Sequence, residues 1–285
     1  MVFNILFAFF ISIIALTACV MGKEMRETIE PKEFKTAMAF EIRDGKLFIP
    51  TYWGKEKVKQ LLAFDTHAPT WADSSILNNN NCVSRINNLL FRTTSIDGTK
   101  LTGSIYRCDS IRLGSVRFDK VIIYNIPSDS NGLNTRGLKA VFGDNLISMG
   151  IWKIDFNNSL ITFTSSLDSI DLQNSTKLPA EFSDNIISID AVFPNGNHKK
   201  LAVDFGYSGS LILSRTQFAE MISSEKPDSV SNQRINIGNR KYAAILHFSE
   251  TIKESLLGLG FFRQFKFVIL DYRNKSIYVS SEAGI

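Results

Sequence analysis

The chain has 285 residues, 44% of them hydrophobic and 21% charged, which places it among ordinary globular proteins and outside disordered or collagen-like compositions. Its 32 Lys and Arg against 28 Asp and Glu leave a net charge of +4, with no block of five or six like charges, so a nucleic-acid partner has little support. Length fits one large domain or two of roughly 100–150 residues.

Residues 2–18 carry no charge and end at Cys19, which marks a targeting segment to be kept out of the fold. As a membrane span it is at the short limit of about 17–25 residues. Leu16-Thr17-Ala18-Cys19 resembles the bacterial lipobox, in which a cysteine after small residues is acylated before cleavage. That resemblance implies a signal peptide over 1–18, lipidation at Cys19, and a protein anchored by lipid in the bacterial cell envelope, facing the periplasm or the cell surface. The alternative is an uncleaved N-terminal anchor. Residues 19–35 include Lys23, Glu24, Arg26, Glu27, Glu30 and Pro31 and read as a tether. With Cys19 lipidated, Cys82 and Cys108 remain; an exported protein favours a disulfide between them, two unpaired thiols being the alternative that spacing leaves open.

The 22 Phe sit in short runs beside Ile, Val and Tyr, reading as strands and as core. Strands are expected over 101–112 and 121–124, with turns at Asp97-Gly98 and Gly114, and over 234–237 and 242–248 around Gly238-Asn239. Short helices are expected at 145–149 and 215–223.

An internal repeat organises these elements. Leu62-Ala63-Phe64-Asp65-Thr66-His67 can be laid over Leu201-Ala202-Val203-Asp204-Phe205-Gly206, with Asp65 and Asp204 in the same slot. Downstream, Val141-Phe142-Gly143 matches Leu256-Leu257-Gly258, and each is followed by an apolar strand ending in Asp155 or Asp271, 12 and 13 residues after the glycine. The repeat divides the chain into an N-terminal lobe over 36–166, a linker over 167–177 and a C-terminal lobe over 178–285.

One aspartate ending a buried strand is usually a turn cap. Two in matching slots of pseudo-symmetric lobes can meet across the interface, where like charges share one proton and supply an acid and a base together. The pattern resembles the retropepsin-like aspartic peptidases, whose lobes each supply Asp-Thr/Ser-Gly and later two apolar residues and a glycine. The resemblance implies an all-β fold of two β-barrel lobes around a cleft, and an aspartic-type endopeptidase acting on peptide or protein substrates without a cofactor. It gives Asp65 and Asp204 the catalytic roles, with Thr66 and Gly206 as active-site support.

Two departures bear on activity. Phe205 stands where the family has Thr or Ser, removing half of the cross-lobe bracing. His67 replaces a glycine and stands as an outward-pointing side chain, an occluding group or a titrating partner of the dyad. A neutral or obstructive His67 takes precedence over a gained role, because a lone imidazole brings chemistry only with a placed partner. The competing readings are a catalytically inactive peptide- or protein-binding envelope lipoprotein, and a structural β-protein with the aspartates as turn caps. Flaps over the cleft are expected from the hairpins at Asp97-Gly98 and Gly238-Asn239. His67, His198 and His247 lack metal-ligand spacing, Gly206-Tyr207-Ser208-Gly209-Ser210 misses the nucleophile-elbow pattern by one position, and no metal site is expected.

Overall fold

The computed structural model describes residues 26–55, 57–94, 100–126, 138–183, 185–214, 231–250 and 252–281. The 1–18 segment, Cys19, the Asp97-Gly98 turn and the helix expected at 215–223 lie outside the described residues.

Alternation of apolar and polar residues sets the strands. In Lys46–Trp53 every second residue is buried, bringing Leu47, Ile49, Thr51 and Trp53 to the interior. Gly54, at φ +66°, follows Trp53 where the chain turns back toward Val58–Phe64. The expected strands are found, three of them extended at both ends as Lys100–Leu113, Val116–Asn125 and Arg240–Ser249 and one extended at its start as Ser231–Ile237.

Among the described residues the strands form sheets of nine, seven and six strands. The nine-stranded sheet belongs to the first lobe and closes on itself, because Val116–Asn125 pairs with both Trp71–Ala72 and Lys100–Leu113. The seven-stranded sheet of the second lobe closes where Ile186–Val192 pairs with both His198–Asp204 and Ser231–Ile237. Closure satisfies backbone groups that open sheet edges would leave unpaired. The molecule is therefore all-β, with two barrel-like lobes.

The repeat recurs pairing by pairing. In lobe one Val58–Phe64 runs parallel to Ala140–Phe142, with Phe64 opposite Phe142; in lobe two His198–Asp204 runs parallel to Leu256–Gly258, with Asp204 opposite Gly258. The six-stranded sheet combines Lys35–Ala39, Ile151–Asp155 and Leu160–Thr164 from the first lobe with Ser175–Leu178, Phe267–Asp271 and Ser276–Ser280 from the joining segment and the second lobe. At its centre Ile151–Asp155 lies antiparallel to Phe267–Asp271, in a register symmetric about Lys153 and Ile269. The aspartates ending these strands are turn caps: Asp155 accepts from the Asn158 amide at 3.0 Å and Asp271 from the Asn274 amide at 2.9 Å.

Three expectations need correction. The tether ends earlier than residue 35, because Thr28–Glu30 pairs with Val116–Asn125 and Phe34 is buried against Phe163, its ring centroid 4.6 Å away. The linker also ends early: Ser175–Leu178 is a strand of the six-stranded sheet, paired with Ser276–Ser280. The hairpin at Gly238-Asn239 is present, but its tip borders a cavity shared with Thr176, Lys177, Leu178 and Pro179 of the joining segment, and not the turns at Asp65 and Asp204 that a flap would cover.

The Phe-rich composition is spent on a continuous aromatic core. Trp152 stacks on Phe163 at 4.1 Å and meets Phe64 and Phe142 edge-on. Phe205 continues the chain of rings, 6.1 Å from Phe64 on one side and 5.0 Å from Phe262 on the other.

Candidate active site

Asp65 and Asp204 each leave the end of a buried strand and enter a tight turn. The Asp65 carboxylate accepts the His67 backbone N–H at 2.9 Å; the Asp204 carboxylate accepts those of Gly206 and Tyr207 at 2.7 and 3.1 Å. Glycines following the paired strands let short helices approach the turns closely. A Cβ on Gly143 would overlap the backbone of Ala68, Pro69 and Thr70, and one on Gly258 would overlap Tyr207 and the Gly209 carbonyl. The helices Asp144–Ile147 and Leu259–Phe262 begin there and were only partly anticipated. The Asp144 amide donates to the Ala68 carbonyl at 2.8 Å and the Leu259 amide to that of Tyr207 at 2.9 Å, so each helix clamps its aspartate-bearing turn.

The two turns face each other. A side chain on Gly206 would run into the Asp65 carboxylate, so this position in lobe two must stay bare for the first aspartate to approach. Burial pushes Asp65 up to about 7, the nearby Asp204 charge adds to the rise, and the His67 N–H, His67 imidazole and Lys46 oppose it. Burial first, and Asp204 second, push the Tyr207 hydroxyl up to about 12.

Thr66 makes the cross-lobe grip. Fully buried, its hydroxyl donates to the Val203 carbonyl at 2.8 Å and accepts the Phe205 N–H at 3.1 Å. The reciprocal hydroxyl is missing, and Phe205, with no exposed surface, fills the junction with a ring packed between Phe64 and Phe262. Bracing on this side is apolar packing.

His67 does not point outward: its Nε2 lies 3.1 Å from the carboxylate of Glu254, and its side chain is 18% exposed. The hydrogen bond to Glu254 holds the imidazole above its ordinary value, burial opposing, while the same bond holds Glu254 below the ordinary carboxylate range. Lys46, opposite, donates from Nζ to the Gly206 carbonyl at 2.6 Å.

The sequence reading missed Glu254 and Lys46. It missed Glu27 as well, whose carboxylate accepts from the Ile122 N–H at 2.8 Å and the Asn145 amide at 2.6 Å; Asn145 in turn accepts the Thr70 N–H at 2.8 Å. A residue assigned to the tether thus helps fix the loop behind Asp65.

Cys108 lies on Lys100–Leu113 opposite Val83, and Cys82 just precedes Val83, which brings the two sulfurs to 3.3 Å as two thiols in contact. Among the described residues no three His, Cys, Asp or Glu side chains cluster to hold a metal, and no helix is long and apolar enough to cross a membrane.

No protein-family model matches the chain, and no curated protein matches it in sequence. Solved structures do. An aspartic proteinase from Irpex lacteus superposes with a TM-score of 0.63 at 14% identity, over 87% of this chain and 97% of that one. Basic 7S globulin from soybean superposes with a TM-score of 0.60 at 9% identity, over 88% and 95%. One of these is a proteinase and the other a globulin, so at such identity the likeness speaks for the fold alone. The chain has an aspartic-proteinase-like fold.

Proposed function

We propose that the chain is an aspartic-type endopeptidase whose nucleophile is a water held between Asp65 and Asp204. The observation that carries this reading is the approach of two carboxylates from matching turns of the two lobes, with Gly206 bare beneath Asp65. Burial pushes Asp65 up to about 7 and the facing Asp204 charge adds to the rise, so the pair keeps one shared proton below about pH 7. In the attack the ionised carboxylate takes a proton from water as its oxygen bonds to the peptide carbonyl carbon. The protonated partner gives its proton to the carbonyl oxygen. In the collapse of the tetrahedral intermediate the carboxyl that took the proton of water passes it to the leaving nitrogen as the C–N bond breaks, and the other carboxylate takes a proton back from a hydroxyl of the intermediate, which restores the one-proton pair.

The substrate class is peptide or protein lying in the cleft between the lobes. The lipobox-like Leu16-Thr17-Ala18-Cys19 supports a lipid-anchored protein of the bacterial envelope. Incorporation of a palmitate analogue that Cys19→Ser abolishes is the expected result.

The function is tested with the full chain in detergent, a mixed peptide library and a pH range of about 3–8. Cleavage is expected at acid to neutral pH, falling above about pH 7 as the dyad loses its proton, and lost in both Asp65→Asn and Asp204→Asn. Cleavage indifferent to both substitutions overturns the reading. The second reading, a binding protein without turnover, is favoured by the ion pair of His67 with Glu254 beside the dyad; peptide binding without cleavage would establish it.

A further inference from the structure

His67 and Glu254 are 187 residues apart, one in the lobe-one turn beside Asp65 and the other just ahead of Leu256–Gly258 in lobe two, yet their side chains meet at 3.1 Å. The other ring nitrogen, Nδ1, is buried and has no hydrogen-bond partner among the described residues. Glu254 is thus the ring's polar anchor. A ring with a buried, unsatisfied nitrogen is costly to hold, and a charge-assisted bond at the other nitrogen offsets that cost.

The surroundings favour a cation at this position. Asp65 and Asp204 act on the imidazole from the two turns, Glu254 from lobe two and Asp144 from the helix behind. The other cation acting on Asp65 is Lys46, held to the opposite turn by the Gly206 carbonyl.

We propose that His67, fastened across the cleft by Glu254, is a positioning residue that ties the lobe-one turn to lobe two and tunes the charge of the Asp65–Asp204 pair. This rests on the peptidase reading and adds a regulator of its working pH. An imidazolium beside the pair stabilises the ionised carboxylate and lets Asp65 release its proton at lower pH. Removing Glu254 weakens the imidazolium; removing His67 deletes it. Both changes strengthen the dyad's hold on its proton, moving the alkaline limb of activity upward.

The test uses the full chain in detergent as wild type, Glu254→Gln, Glu254→Asp and His67→Gln. The pH profile of kcat/KM is expected to shift its alkaline limb up by about one pH unit in Glu254→Gln and His67→Gln, with Glu254→Asp restoring most of the wild-type profile. A structural tie alone would raise KM or lower stability without moving that limb. A second readout needs no turnover: NMR of the three histidine Cε1–H signals, with His67 assigned by its loss in His67→Gln. The His67 titration is expected to fall by about one pH unit in Glu254→Gln. An unmoved His67 titration, or an alkaline limb that stays or moves down, overturns the proposal. If wild type cleaves no peptide, the peptidase reading falls and the His67 titration still decides whether the clasp exists.

Discussion

Replacing Asp65 by Asn tests whether the dyad stores unfavourable charge. The Asn carbonyl can still accept the His67 N–H, but it cannot ionise. In the fold Asp65 is raised from an ordinary 3.8 to about 7, so the folded form binds this proton more tightly than the unfolded chain does. The sign follows: wild type is most stable, in this respect, below about pH 4 and loses stability as pH climbs to about 7, where the folded carboxyl ionises. At 1.36 kcal/mol per pH unit the loss has a ceiling of about 4 kcal/mol, and relaxation around the charged pair leaves roughly 2–4 kcal/mol. Asp65→Asn and wild type should therefore agree to within about 1 kcal/mol at pH 4, with the variant 2–4 kcal/mol more stable at pH 8. By calorimetry the pH 8 difference corresponds to a rise in Tm of roughly 5–15 °C. Asp204→Asn should lessen the same slope without abolishing it, since it removes the charge facing Asp65 while burial, the larger cause of the rise, remains. Equal differences at the two pH values, or a variant less stable at pH 8, would refute the reasoning.

Thr66→Val keeps the volume and deletes both cross-lobe hydrogen bonds, leaving a buried N–H and a buried carbonyl short of a partner; a loss of about 2–4 kcal/mol in chemical denaturation is expected. Glu27→Ala should cost about 1–3 kcal/mol by stranding the Ile122 N–H and leaving the Asn145 amide with only the longer bond to the Ile122 carbonyl, and in hydrogen exchange the loop around Thr70 should lose protection. Cys108 is buried, and contact with Cys82 followed by burial pushes its thiol far up, so iodoacetamide at pH 8 should spare it in the folded chain and label it in urea without reductant. Labelling in urea only after reduction would show a disulfide instead.

What the sequence made legible was local. Asp65, Asp204, Gly143 and Gly258 stand at junctions of strand, turn and helix, each specified by a few consecutive residues, and two copies in the same order exposed the pattern. The second aspartates, Asp155 and Asp271, were legible as anchors for the same reason, and their capped turns repeat bond for bond. Glu254 was not legible. It sits in an irregular stretch with no periodicity, and its partner is 187 residues away. Glu27 lies in a charged segment whose composition is that of a solvated tether, and only the fold shows that one of those charges is inserted into the lobe. Lys46 looked like the polar phase of an alternating strand, which it is; the lobe opposite gives it a carbonyl to hold.

Phe205 shows how the same residue can read as a loss in sequence and as an exchange in structure. By the pseudo-symmetry of the lobes, Phe205→Thr would place a hydroxyl opposite Thr66, to donate to the Phe64 carbonyl as Thr66 donates to that of Val203. Each restored bond is worth about 0.5–1.5 kcal/mol net. The substitution also removes a fully buried ring from between Phe64 and Phe262, and Phe-to-small changes in cores cost about 3–5 kcal/mol because the surroundings collapse only partly. Packing outweighs the bonds, so Phe205→Thr is expected to lower stability by about 1–3 kcal/mol, measured by calorimetry at a fixed pH. Its effect on turnover tells whether the aromatic bridge hinders catalysis or serves it. A variant less stable but faster in cleavage would mean that the aromatic bridge holds the turns at a cost to catalysis. One both less stable and slower would mean that the bridge positions Asp204 as well as a hydroxyl does. A variant more stable than wild type would refute the exchange, because apolar packing could then not have replaced the missing half of the grip.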